Sequence, residues 1–329
     1  MTIAVTSGDP SGIGPEIVQK SWIYFKNNPS NEFFWIGDPL HLPDKSIPWQ
    51  PIVHPNEVSE NFSSALPVLV HKFAHPLKIG CHQPENANDI IKVIKKAVRL
   101  VKENKATALC TSPINKDVLN SGTQFPFLGH TEFLAYLDNI EHPVMMLASP
   151  KLKVVPATIH IPIKEVSNRL SIEGLTKTIK ITNEAMKDKF GLAQPVIAVS
   201  GLNPHAGENG KLGLEEKEVI IPAIRNLKDS INIIGPLSAD TMFHSTARAK
   251  YDVAITMYHD QALIPLKTIG FEEGVNITLG ISFVRTSPDH GTAFDLAGQN
   301  LADETSIINA IKMAASLSRK QQNGKTSPA

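Results

Sequence analysis

Three histidines in this chain share a setting that suits metal chemistry. His160, His205 and His259 each follow a short apolar run, and each has proline or aspartate within two residues. Imidazoles at strand ends can converge on a divalent metal such as zinc if the strands are neighbours, leaving positions open for a substrate oxygen. The other reading is three unrelated imidazoles, each bonded to a backbone carbonyl. No compact spacing of the HExxH kind favours the metal. Asp240 and Asp260 stand where they could add ligands, orient an imidazole or cap a turn. A second set is cationic. Lys116, Lys267 and Arg285 sit just past expected strands among apolar residues, and arginine suits two-point recognition of phosphate or carboxylate. Lys116 reads better as an ordinary exposed charge. Asn276 and Thr131 either bond a ligand or satisfy turns. Asp9 and Asp295 are ligand contacts or turn residues, and Glu132 and Glu208 read as capping or solvated charges.

The elements that must position these groups follow from periodicity. Residues 2–6 form a β-rich run that ends in Ser7-Gly8-Asp9-Pro10-Ser11-Gly12-Ile13-Gly14, and a helix is expected over 16–25 with Pro15 near its first turn. The glycine loop either faces a ligand with its backbone N–H groups or is a tight βα turn. It lacks both the dinucleotide fingerprint and the Walker lysine. Further strands are expected at 33–37, 106–110, 144–148, 154–159, 196–200, 231–234 and 253–257. Residues 38–77 read as loops and short strands. Helices are expected at 86–104, 132–137 with Thr131 as a possible cap, 167–189, 214–226 with a bend or division at Pro222, and 306–318. The tail after 318 reads as frayed. Strands alternate with helices and polar motifs sit at strand ends, so the fold class is α/β.

Composition narrows the partners. The chain has 329 residues, 42% of them hydrophobic, enough for one large or two medium domains. Lysine plus arginine and aspartate plus glutamate both number 32, which argues against nucleic acid as the main partner. Two cysteines, Cys81 and Cys110, without a CxxC pair, make a disulfide scaffold or a thiolate zinc site a poor fit. No signal peptide or membrane span is visible, so a cytoplasmic protein is expected.

In order along the chain stand GDPSGIGPE, TSPINK, GHTE, HIPI, NPHAGENGKLGLEE, GPLSADT, YHDQALIPLK and GVNITLGISFVRTSPDHGTAFDLAG. Together these resemble the PdxA family, the 4-hydroxythreonine-4-phosphate dehydrogenases of pyridoxal phosphate biosynthesis, over nearly the whole chain. HGTAFDLAG is also similar to the HGSAPDIAG segment of isopropylmalate and isocitrate dehydrogenases. The resemblance implies an isocitrate/isopropylmalate dehydrogenase-like fold, two α/β/α domains with a cleft between them. Residues 1–125 plus 270–329 would form a discontinuous first domain. Residues 126–269 would form a central domain carrying most of the metal site and the dimer interface. His160, His205 and His259 would bind one divalent metal per active site (zinc, magnesium or cobalt). His130, Thr131, Lys267, Asn276 and Arg285 would bind substrate. His290, Gly291 and Asp295 would border the adenosine side of NAD or NADP. Lys267, Asp240 and Asp260 are candidates for the hydroxyl proton. A homodimer with the active site at the subunit interface is implied. Ile281-Ser282-Phe283 departs from the family pattern, which has a Leu-Pro pair before the phenylalanine, and this bears on local loop shape alone.

The activity so implied is oxidation and decarboxylation of 4-phosphooxy-L-threonine to 3-amino-2-oxopropyl phosphate. A related dehydrogenase acting on 4-phosphorylated erythronate or threonate would keep the same motifs. A non-catalytic metal or phosphate binder on the same scaffold would tolerate loss of one of them.

Overall fold

The computed structural model describes residues 2–27 and 29–326. It is an α/β fold in two compact units. One comprises the described residues up to 141 together with 281–319. The other comprises 142–280 together with the described residues from 320 onward. The chain lays down β1 (Ile3–Thr6), β2 (Phe33–Gly37), β3 (Trp49–Pro51), β4 (Leu66–Val70) and β5 (Ala108–Cys110) in the first unit. The second unit then takes β6 (Val144–Ala148), β7 (Lys153–Pro156), β8 (Val196–Ser200), β9 (Asn232–Leu237), β10 (Val253–Thr256) and β11 (Val275–Leu279). The first unit is completed by β12 (Arg285–Pro288).

Within the first unit the strand order is β3-β4-β2-β1-β5-β12, with every pair parallel. Strands covered on both faces need unbroken apolar runs rather than alternation. Accordingly Ile3, Ala4 and Val5 of β1 and Phe33, Phe34, Trp35 and Ile36 of β2 are all buried. Helix Gly14–Phe25 buries Ile17, Val18, Trp22 and Phe25. Helix Ala87–Lys102 buries Ile90, Val93, Ile94, Ala97 and Val101, the stripe its sequence announces. Each such aliphatic or aromatic side chain contributes roughly 1.5–3 kcal/mol on burial.

Within the second unit the order is β11-β6-β7-β10-β8-β9. The pairs β11–β6 and β6–β7 are antiparallel, and β7–β10, β10–β8 and β8–β9 are parallel. Met145, Leu147, Val154, Ala198, Ala254 and Leu266 belong to its core. The hairpin β6–β7 turns at Ser149, whose Oγ accepts from the Leu152 N–H at 3.2 Å.

Several elements depart from the sequence expectations. Residues 167–189 form two helices, Val166–Arg169 and Ile172–Asp188, because Ser171 caps the second by accepting from the Gly174 N–H at 3.1 Å. At Pro222 the outcome is the division that a proline there suggests, a π-helical turn, Glu216–Ile220, giving way to helix Ile221–Arg225. Helix His130–Asp138 begins with Gly129 as its N-cap, so Thr131 lies inside the first turn and does not cap it. The last helix, Thr305–Thr326, continues through 319–326, which the sequence had suggested were frayed.

Candidate functional site

In the second unit the three histidines follow adjacent strands. Strands β7, β10 and β8 are neighbours and parallel, with Ala254 opposite both Val154 and Ala198. His160, His259 and His205 therefore all follow the C-terminal edge of one stretch of sheet, the usual ligand side of such strands. Side-chain bonds keep these strand ends together. Thr158 Oγ1 donates to Met257 O at 2.7 Å. Gln261 ties β10 to β8: its Oε1 accepts from the Met257 N–H at 2.7 Å and from Ser200 Oγ at 3.0 Å, and its Nε2 donates to Gly201 O at 2.9 Å. Gln261 carries no such signal in sequence, since its β8-side partners, Ser200 and Gly201, lie 61 and 60 residues away.

His160 is exposed and has φ +48°, and His259 opens helix His259–Gly270. Their ring centroids are 6.0 Å apart, and both line a cavity of about 250 Å³ with Thr158, Tyr258 and Asp260. His259 Nδ1 and Asp260 Oδ1 are 2.7 Å apart. With Nδ1–H donated to that carboxylate, Nε2 keeps its lone pair for a ligand, the outer-layer arrangement that orients metal-binding imidazoles. His205 is exposed on a left-handed turn. Among the described residues no three His, Cys, Asp or Glu side chains gather into a group that could hold a metal ion. In donor type, in the Asp260 pairing and in their placement at one sheet edge, the three histidines fit a divalent cation with nitrogen ligands.

The remaining candidates in this unit are placed as follows. Asp240 is exposed in the turn after β9. Lys267 lies within helix His259–Gly270 rather than past a strand, with Nζ 5.5 Å from the Phe271 ring centre. Asn276 lies on β11, and its Oδ1 is enclosed with no hydrogen-bond partner.

The first unit holds an anion-attracting cluster. Arg285 opens β12 rather than following a strand, and it is 2% exposed. Its Nε and Nη2 donate to Thr111 Oγ1 at 3.2 and 2.7 Å. Burial pushes the guanidinium down to about 10, against the pull of Cys110 and Glu132. His130 begins helix His130–Asp138. Burial first, then the nearby Arg285 and Lys116 charges, hold its imidazole well below its usual range, so it is neutral at pH 7. Its Nε2 is enclosed and has no partner. Lys116, exposed as the sequence suggests, opens helix Lys116–Thr123. A Cβ on Gly129 would lie 3.4 Å from its Cε and 3.9 Å from its Nζ. Two cations, the N–H groups of a helix N-terminus that includes Thr131, and an unpartnered imidazole nitrogen suit phosphoryl or carboxylate oxygens.

The glycine loop and the 290–298 segment meet in this same unit. The Ile13 N–H donates to Thr292 O at 3.0 Å, and a Cβ on Gly12 would collide with that oxygen. Gly8 has φ +65° and Asp9 N–H donates to Pro113 O at 2.8 Å. The loop is thus a tight βα turn whose glycines permit close backbone approach. His290 Nδ1 lies 3.0 Å from Gly291 O, and its Nε2 is enclosed without a partner. Gly291 has nothing within 4 Å of a notional Cβ, and Asp295 is exposed. An unpartnered imidazole nitrogen beside a bare glycine fits the edge of a dinucleotide.

Asp9 is buried, and Oδ1 accepts from the Ser11 N–H at 3.0 Å while Oδ2 has no partner. Burial raises its carboxyl from the ordinary 3.8 to about 6, opposed by the Ser11 N–H and by His82. A carboxyl raised on folding binds more protons in the folded state between those values, so stability falls as pH rises from 3.8 to about 6 and is level above. The loss is about 3 kcal/mol at most. The Asp9→Asn variant is expected to lose that slope in urea midpoints measured from pH 4 to 7. Identical profiles for the two proteins would remove Asp9 as its cause.

The family model "Pyridoxal phosphate biosynthetic protein PdxA" matches residues 34–314. The 4-hydroxythreonine-4-phosphate dehydrogenase of Ruegeria sp. (strain TM1040) is 50% identical over 321 residues, 97% of this chain and 98% of that protein. The enzyme of the same name from Roseobacter denitrificans (strain ATCC 33942 / OCh 114) is 49% identical over 320 residues, 97% of each. The crystal structure of 4-hydroxythreonine-4-phosphate dehydrogenase from Klebsiella pneumoniae superposes with a TM-score of 0.87 at 33% identity, covering 96% of this chain and 99% of that one.

Proposed function

We propose, because this chain belongs to the PdxA family of pyridoxal phosphate biosynthetic proteins, that it oxidises and decarboxylates 4-phosphooxy-L-threonine with NAD or NADP. The observation that carries this is 50% identity, across 97% of the chain, to a 4-hydroxythreonine-4-phosphate dehydrogenase. The chain is an oxidoreductase of vitamin B6 biosynthesis. The substrate's secondary alcohol loses a proton from oxygen and a hydride from carbon. The resulting β-keto acid loses CO2, and the enolate left behind takes up a proton. The products are 3-amino-2-oxopropyl phosphate, CO2 and the reduced cofactor.

The residues divide that work. Arg285, His130 and Thr131, with Lys267 and Asn276, bind the anionic ends and polar groups of the substrate. Arg285 is held in place by Thr111, so its geometry is set before substrate arrives. His160, His205 and His259 would hold a divalent metal such as zinc, magnesium or cobalt, which would supply Lewis-acid stabilisation of a developing negative oxygen. Hydride acceptance is the chemistry the dinucleotide brings, and His290, Gly291 and Asp295 border its adenosine side. The hydroxyl proton passes to one of Lys267, Asp240 and Asp260. Asp260 is already engaged with His259 Nδ1, which suits it to orienting the imidazole.

The enzyme acts as a cytoplasmic homodimer, with the active site at the subunit interface and the central domain carrying the contact. No helix among the described residues is long and apolar enough to cross a membrane, and Ile264 and Phe271 are 64% and 72% exposed in this single chain. The test is a substrate panel with NAD and with NADP, following cofactor absorbance and CO2 release together. 4-Phosphooxy-L-threonine is expected to give both signals. Cofactor reduction without CO2 would sink the decarboxylation. Turnover of phosphorylated erythronate alone would reassign the substrate.

A further inference from the structure

His205 sits on an unusual piece of backbone. Five successive residues, His205, Ala206, Gly207, Glu208 and Asn209, have φ of +53°, +50°, +76°, +40° and +57°. Four of them carry a Cβ that left-handed backbone disfavours, so surrounding contacts must impose the turn. The contacts at its entrance lead to one buried carboxylate. Glu216 is 2% exposed and opens the π-helical turn Glu216–Ile220. Its Oε1 accepts from the backbone N–H groups of Leu202 and Asn203, both at 2.8 Å. Its Oε2 accepts from Asn203 Nδ2 at 2.9 Å, and Glu215 Oε2 accepts from the same nitrogen at 2.7 Å. There is no spare room around it. A Cβ on Gly207 would collide with Glu216 Oε2, one on Gly201 would stand 3.0 Å from Oε1, and one on Gly213 would collide with the Asn203 amide.

We propose that Glu216 is the positioning residue for His205, holding the left-handed turn through Leu202 and Asn203 so that the imidazole is presented at the C-terminal edge of β8. This rests on the metal reading above, in which His205 is a ligand. Three hydrogen bonds from one segment to one carboxylate fix where the strand stops and in which sense the chain then winds. A side chain at Gly207 would run into the carboxylate, and one at Gly201 would meet the Ala206 Cα at 2.8 Å as well as the carboxylate. The role belongs to this carboxylate rather than to general acidity of the loop, since Glu208, on the same turn, is exposed.

The test uses the full chain with Glu216→Gln, nearly the same shape, beside Glu208→Gln as a charge control and His205→Ala. Hydrogen exchange of residues 201–213 is read by mass spectrometry, and Co2+ affinity is read on the metal-free protein from the visible absorption of the bound ion. Glu216→Gln turns one of two accepting oxygens into an NH2, so it must face either the backbone N–H groups or the Asn203 amide donor to donor. It is expected to speed exchange in 201–213 selectively and to weaken Co2+ about 10- to 100-fold, whereas Glu208→Gln changes neither. Unchanged exchange in Glu216→Gln would overturn the proposal. So would a rise spread evenly over the chain with a lower melting temperature, which marks a merely structural role. If His205→Ala binds Co2+ as tightly as the parent, the metal reading fails. The exchange of 201–213 still decides whether Glu216 holds the turn.

Discussion

The His259→Ala variant is expected to lose about 10²–10³-fold in kcat/KM, the scale of removing one pre-placed stabiliser of a developing negative oxygen. Co2+ affinity should fall with it, by at least about 10-fold. The fold should barely notice. His259 is half-buried at the first position of helix His259–Gly270, and alanine is a good helix former. Its cost to stability should therefore stay near 0.5 kcal/mol, which thermal melting checks. Asp260→Asn gives the graded control. It keeps a partner for His259 Nδ1 but removes the charge, so a loss nearer 10-fold is expected. Full metal content and undiminished NADH formation in His259→Ala would remove the three-histidine site.

The histidines were visible in the sequence because each follows an apolar run, and runs such as Val253–Thr256 can be read without a structure. Their placement along one sheet edge was not. It depends on β7, β10 and β8 lying side by side, and periodicity within a strand says nothing of its neighbours. Lys267, expected past a strand, lies within helix His259–Gly270, which continues through Pro265. The left-handed turn at 205–209 was hidden because only Gly207 and Gly210 hint at it, while the residue that holds it, Glu216, is one of several similar acids in sequence. Arg285 reads in sequence as a candidate for anion binding, but not as a buried residue. Its anchor, Thr111, lies 174 residues earlier, and its burial follows from β12 pairing with β5.

That burial gives Arg285 the second large expected effect, and it separates activity from stability. Arg285→Met replaces a buried guanidinium by an apolar side chain of similar reach. Removing a buried charge in this way is often neutral or stabilising, since the desolvation cost disappears. Melting temperature should thus hold or rise, while KM for the phosphorylated substrate rises about 100-fold or more, because the charge that meets its anionic end is gone. Arg285→Lys keeps the charge but cannot reproduce the two-donor grip on Thr111, at 3.2 and 2.7 Å. It should fall between, with KM up about 10-fold, as expected when a planar fork is replaced by a point charge. Thr111→Val tests the grip itself. If Thr111 acts by aiming Arg285, its effect on KM should be large in the parent and small in Arg285→Met, a coupling of about 1 kcal/mol or more. Additive effects would mean that Thr111 and Arg285 work separately. A destabilised Arg285→Met with unchanged KM would make the arginine a structural residue and leave the anion to Lys116 and His130.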